Sequence, residues 1–343
     1  MATLARPALL ITIKRENFYS YLQLTVVVVA AGTIFPLLYL RQNFEVSILD
    51  TFQITVAQLS NCYAVMGLIF FASYIPSGWL ADHFSPRVLL ILSLLLTLVF
   101  GLWFSEIPGY SSLLIIFVGW GFSTGLTFWA AHLKIVSMIA SVRHQGRFFG
   151  LLDGGRGLVE AVLGTLAIAA FAYSLKSDPQ GIELALRQVI YIYCSALVIA
   201  LLLVYGLLDD TKSNTVISSE RHFLPDLKII LSHPDVWLSA VCILCGYQLF
   251  WATYSFSAHL QQTYSLTAVT VGSITVAKLW MRPIGAISAG YAGDLFGCER
   301  MLAILMVLAS CCITTLALLP IETVTTILLT MVLAAGLATY AVR

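Results

Sequence analysis

Stretches of about 20 apolar residues, the length that crosses the hydrocarbon core of a bilayer, recur along this chain from one end to the other. They fall near residues 18–40, 52–76, 88–105, 111–133, 148–173, 188–208, 235–260, 267–292, 300–320 and 322–341. Within lipid a spanning segment must satisfy its own backbone N–H and C=O groups, and a helix does so without a partner. The pattern predicts an all-α membrane protein with about ten transmembrane helices. Charged residues are 10% of the 343, against about 25% in a soluble domain, too few to cover a water-facing surface. Lys14 and Arg15 before the first apolar run resemble the start of a signal peptide. That run is too long, contains Pro36 and is followed by many like it, so it reads as a first membrane helix.

An even number of helices places both ends on one side. With a cytoplasmic N-terminus, the inside loops and ends hold twelve Lys and Arg, from Arg6 to Arg343. The outside loops hold three, Arg41, Lys176 and Arg187. That asymmetry predicts the cytoplasmic N-terminus. The net charge of +1, with no basic run, excludes nucleic acid as a partner. Cys242 and Cys245 form a C-x-x-C with no second ligand pair, so no metal or cofactor is implied. No H-E-x-x-H, nucleophile elbow or P-loop is present, which argues against an intramembrane enzyme.

The longest polar stretch, 209–234, separates six apolar segments from four. It divides the chain into an N-terminal six-helix half (1–208), a cytoplasmic linker (209–234) and a C-terminal half (235–343). Within the linker, Asp226–Leu231 has the pattern of a short amphipathic surface helix.

Two loops repeat. One runs from Gly78 through Asp82 and Phe84 to Arg87; the other runs from Gly290 through Asp294 and Phe296 to Arg300. In both, the Gly precedes the Asp by four and an aromatic follows it by two, at an offset of 212 (290 minus 78). Matching loop chemistry at matching topology points to duplication. The Gly permits close approach or a tight turn, and the Asp can accept hydrogen bonds at a helix N-terminus. Both sets are expected to act as conformational-switch loops.

These loops resemble the signature loop of the major facilitator superfamily, G-x-L-a-D-r-x-G-r-[kr]. The first departs from it at Ser85 and Pro86, the second at Ala292, Cys298 and Glu299. Gln145–Gly150 with Gly154-Gly155-Arg156-Gly157 resembles a bacterial branch of that family, the YihN-like transporters. The family's fourth-helix Arg motif is missing from Gly119–Gly125. The resemblance implies a major facilitator fold, a secondary active transporter working by alternating access, and a multi-pass protein of the bacterial cytoplasmic (inner) membrane. It implies a small-molecule substrate, a proton or counter-anion as coupling partner, a lipid bilayer around a monomer, and no cofactor. By the repeat offset Arg343 matches Ala131, at the end of the fourth helix, and a full second half would end near 420 (208 plus 212). The expectation is that helices eleven and twelve are missing and the C-terminal half is truncated after its fourth helix. A transport-inactive protein retaining the fold, a remnant or a receptor or assembly subunit, is the alternative function.

Charges inside the apolar segments are the site candidates, because each costs about 2.5–3.5 kcal/mol at the bilayer centre unless it faces a cavity or a partner. Asp153, Arg156 and Glu160 lie on one face of the fifth helix, and Lys278 and Arg282 on one face of the eighth. At about 1.5 Å per residue the two clusters reach similar depth. Glu160–Lys278 and Asp153–Arg282 are the expected ion pairs, forming either a latch between halves or a binding site. The three cations outnumber the two acids, which suits an anionic solute. Tyr247, Gln248, Trp251, Tyr254 and Ser257 form a polar and aromatic stripe on the seventh helix, and Gln53, Gln58, Asn61 and Tyr63 are weaker candidates. His132 and His259 read as interfacial.

Overall fold

The structure, a computed structural model, describes residues 5–140, 145–178, 181–209, 232–253, 256–320 and 322–342. Among these residues there is no strand. The helices are α1 (Ala5–Leu38), α2 (Arg41–Phe52), α3 (Val56–His83), α4 (Pro86–Ser105), α5 (Tyr110–Gly121), a π-helical segment (Phe122–Phe128), α6 (Trp129–Ile139), α7 (Gln145–Ser177) and α8 (Ile182–Leu207). They continue with α9 (Pro234–Ala252), α10 (Phe256–Tyr264), α11 (Ala268–Leu279), α12 (Met281–Phe296), α13 (Cys298–Leu318) and α14 (Thr325–Val342).

Eight spans among the described residues are long and apolar enough to cross a membrane. The stretch at 267–292 is helical but divides at Trp280, and the one at 322–341 supplies a shorter apolar helix, Thr325–Thr339. Pro283 accounts for the division. It has no N–H for the carbonyl of Leu279, and its ring crowds that carbonyl. The polar segment 226–231, Tyr254 and most of the linker lie outside the described residues.

Helix ends follow local chemistry. Thr55 opens α3 with a capping box, accepting from the Gln58 N–H while Gln58 Oε1 accepts from the Thr55 N–H at 2.9 Å. Pro86 occupies the first position of α4, where its missing N–H costs nothing. Thr267 caps α11 by accepting from the Thr270 N–H.

The chain forms two compact units. The first contains residues through Tyr39 and from Ser47 to α8; the second contains Leu40–Val46 and the helices from α9 onward. In the first unit, α1 packs on α7 and α8, α4 on α8, and α3 on α5 and the π segment. The α1–α7 approach depends on small residues: a Cβ on Gly32 would stand 2.5 Å from Val159 Cβ, and one on Gly155 would stand 2.7 Å from Val28 Cγ1. In the second unit, α14 packs on α11, α12 and α13 around Leu260, Val271, Leu316 and Val332.

Candidate substrate-binding site

The first unit holds its buried cation in an uninterrupted helix. Arg156, 6% exposed, lies on α7, and its Nε donates to Glu160 Oε1 one turn later at 3.0 Å. Its guanidinium carbon stands 4.3 Å from the centre of the Phe35 ring, close enough for cation–π attraction. Phe35 in turn meets Phe128 and Trp129 edge-on at 6.0 and 6.3 Å and stacks with Tyr39 at 6.2 Å. His132 is buried rather than interfacial. It stacks on Phe128 at 4.8 Å, with Nδ1 3.1 Å from the Phe128 carbonyl oxygen. Asp153 lies half-buried one turn before Arg156. The structure therefore brings Arg156 and Glu160 together within one helix and sets Arg156 over one ring, Phe35, of an aromatic cluster.

In the second unit the cations flank the helix break. Lys278 is fully buried in the last turn of α11, and Arg282, 1% exposed, is in the first turn of α12. Lys278 Nζ donates to Thr253 Oγ1 at 3.1 Å and to the Thr253 carbonyl oxygen at 3.3 Å. Thr253 is where α9 ends. The lysine thus ties one helix interruption to another, its ammonium accepted by a carbonyl at a helix C-terminus. Nζ also lies 5.5 Å from the Phe256 ring centre. Gly336 of α14 presses on the lysine stem, where a Cβ would come within 2.5 Å of Lys278 Cγ.

The seventh-helix stripe is less uniform than its spacing suggests. Tyr247 is half-buried and meets Phe250 edge-on, Ser257 is buried, and Gln248 and Trp251 are exposed. The weaker polar candidates serve the backbone instead. Gln58 completes a cap, and the Tyr63 hydroxyl donates to the Leu38 carbonyl at 2.9 Å. Gln53 and Asn61 are exposed.

The repeated segments are mostly helix, not loop. Nothing stops α3 before Ser85-Pro86, so Gly78 and Asp82 lie in its last turns; α12 likewise carries Gly290 and Asp294 to Phe296. Gly78 has open space where a Cβ would stand, so it makes no close approach. The turn glycine of the second copy is Gly297, with φ +91°. Asp82 Oδ1 accepts from Lys134 Nζ at 2.9 Å, and that lysine also donates to the Ala81 carbonyl at 2.8 Å. Arg87, in the first turn of α4, donates to the Tyr205 carbonyl and lies over the Tyr205 ring. Arg300 is exposed in the first turn of α13.

The spacing of charges did not reveal the rings beside Arg156, nor Thr253. A cavity of about 110 Å³, lined by Tyr19, Gln23, Ile135 and Asp209, contains none of the buried cations. It is smaller than the roughly 300–1,000 Å³ of ordinary ligand sites.

Residues 18–342 match the family model of the Major Facilitator Superfamily. The chain belongs to that superfamily. Its function is therefore membrane transport rather than catalysis, with a small-molecule substrate and a lipid bilayer as partners. Inner membrane protein YihN of Escherichia coli (strain K12) is 23% identical over 320 residues, spanning 91% of this chain and 74% of that protein. Inner membrane protein YqcE of the same organism is 23% identical over 312 residues, spanning 88% and 72%. Among solved structures, a bacterial homolog to the human lysosomal transporter Spinster, in an inward-facing and unoccupied conformation, superposes with a TM-score of 0.65. It is 14% identical and covers 95% of this chain and 73% of that one. In this superfamily member the helix breaks around Lys278 and Arg282 become the points of chemical interest, since transporters build sites from interrupted helices.

Proposed function

We propose that this chain is a secondary active transporter of a small anionic organic solute. It works as a monomer by alternating access, with its N-terminus in the cytoplasm and its halves, 1–208 and 235–343, joined by the 209–234 linker. The observation that carries the reading is the pair Lys278 and Arg282. Both are buried in an apolar unit, four residues apart, on either side of a broken helix. Intramembrane charge is expensive and is retained for function. A guanidinium fork beside a compact ammonium suits a carboxylate or phosphate. Arg156 already has Glu160 as a counter-charge, which favours the second unit for anion recognition. A proton or a counter-anion drives the cycle.

The test is uptake by proteoliposomes holding the purified chain, offered labelled mono- and dicarboxylates and organic phosphates. One set carries an imposed pH gradient and another an internal counter-anion. Accumulation of at least one anion under one of these gradients, lost in Lys278→Met, is expected. Uptake of neutral solutes only, or unaltered uptake in Lys278→Met, would sink the anionic reading.

A further inference from the structure

The first seven residues of α2 form a largely buried polar segment that the transport reading does not use. Arg41-Gln42-Asn43-Phe44-Glu45-Val46-Ser47 reads as an outer loop in the sequence, yet Gln42, Asn43 and Glu45 are 7%, 7% and 1% exposed. Phe44, with φ −132° and ψ 29°, interrupts helix α2 in their midst. Arg41 Nη2 holds Glu45 Oε1 at 2.7 Å, and Ser257 Oγ of α10 donates to the Arg41 carbonyl at 3.4 Å.

Among the described residues, Gln42 Nε2, Asn43 Oδ1 and Glu45 Oε2 are buried with no hydrogen-bond partner. Each gave up bulk water on folding without gaining a partner among the described residues. Buried polar atoms of this kind are rare in native proteins and mark water, an ion or a ligand. The inventory defines the missing group. One donor and two acceptors require a ligand that both accepts and donates. Arg41 already balances the charge of Glu45, so an ion gains little here. Hydroxyl groups meet all three atoms without adding charge.

We infer that the Arg41–Ser47 segment is a binding site for vicinal hydroxyls, as carried by a sugar, a polyol or the glycerol headgroup of a lipid. The site stands whether or not the chain transports an anion, because it uses neither Lys278 nor Arg282.

The test is calorimetric titration of the whole 343-residue chain in detergent with D-glucose, myo-inositol and glycerol, each at millimolar concentration. A second arm compares thermal unfolding in nanodiscs of phosphatidylethanolamine alone with discs that also contain phosphatidylglycerol. Binding of a soluble polyol, weakened at least tenfold in Asn43→Leu and Gln42→Leu, is expected and identifies a free solute. Stabilisation by phosphatidylglycerol of the unaltered chain but not of those variants assigns the hydroxyls to lipid. Both variants should unfold no earlier than the parent, since each removes an unmet group while keeping its shape. No discrimination in either arm overturns the proposal. So do variants that unfold well before the parent, because the atoms would then be holding structure rather than a ligand.

Discussion

The α3–π pairing of the first unit and the pairing of α11 and α12 with α14 in the second correspond at an offset of 212, yet they deform on opposite members. In the first unit the second helix, α3, runs unbroken through Pro76, and its partner carries the π-helical turn Phe122–Phe128. In the second unit the matching helix breaks at Trp280, and the residues matching the π turn, 334–340, lie in a regular helix. Pro283, which breaks the second of these helices, corresponds to Phe71 (283 minus 212), and the side chains beside it differ as well. Lys278 corresponds to Met66 (278 minus 212) and Arg282 to Phe70 (282 minus 212). Met66 and Phe70 belong to the face packed on Gly121 and Gly125. An apolar face can lie flat against its partner and leaves any adjustment to the backbone opposite. A charged face needs acceptors, and Lys278 finds them at Thr253, where α9 ends. The matching positions thus carry an apolar packing face in the first unit and buried cations in the second.

The strongest way to break this comparison is to turn the second copy into the first. Lys278→Met combined with Arg282→Phe removes two charge-assisted contacts, worth about 1.5–3 kcal/mol each. Anion affinity should fall by about two to four orders of magnitude. Thermal stability should hold or rise, because apolar replacement of buried charge is often neutral or favourable. A parallel collapse of stability and binding would show that these cations build the unit rather than the site.

The Arg156–Glu160 pair sharpens the contrast from the other side. Glu160→Ala strands a guanidinium that is 6% exposed and should cost about 3–5 kcal/mol, read as a lowered unfolding temperature in detergent. Replacing both residues by Met should recover most of that loss. Failure of the double variant to recover would mean that Arg156 is held by its place over Phe35 more than by its carboxylate.

Gly336 and Gly121 test whether the two contacts differ in kind. Alanine at either position meets atoms that cannot easily yield: Lys278 Cγ at 2.5 Å for Gly336, and Ile69 Cβ at 2.8 Å for Gly121. Each substitution should cost about 1–3 kcal/mol of stability. Only Gly336→Ala should also weaken anion binding, because it displaces the stem of Lys278. Equal effects on binding would erase the functional distinction between the copies.

Helical class, the apolar stretches and the charged faces were legible in the sequence because each is a periodicity that lipid imposes. The family was legible from Gly78, Asp82 and Arg87 and their repeat. The structural setting of those residues was not. Helix ends depend on where the next breaker falls, so Gly78 and Asp82 continued as helix up to Ser85-Pro86. The partners of the buried charges were also out of reach. Lys278 is satisfied by Thr253, 25 residues away, and by a backbone carbonyl that any residue type could present. Arg41 to Ser47 read as a loop because polarity signals water only on average, and Gln42, Asn43, Glu45 and Ser47 are buried.

The π turn offers the smallest and most local test. Within it the Trp129 N–H donates to the Thr124 carbonyl, five residues back rather than four. The next donor in line, the Ala130 N–H, is accepted by Ser77 Oγ of α3 at 3.3 Å. The position matching Ser77 in the second copy is Ala289 (77 plus 212), which has no hydroxyl, and the matching stretch of α14 is regular. The hydroxyl therefore favours the wide turn, and its absence leaves the ordinary register as the better choice. Ser77→Ala should cost about 1 kcal/mol and speed hydrogen exchange at Ala130 while leaving anion affinity unaltered. Faster exchange confined to Ala130 and its neighbours would tie the π turn to that single hydroxyl. Unchanged exchange would show that the buried hydroxyls around Ser123, including the Thr97 contact at 2.9 Å, are enough to hold the turn by themselves.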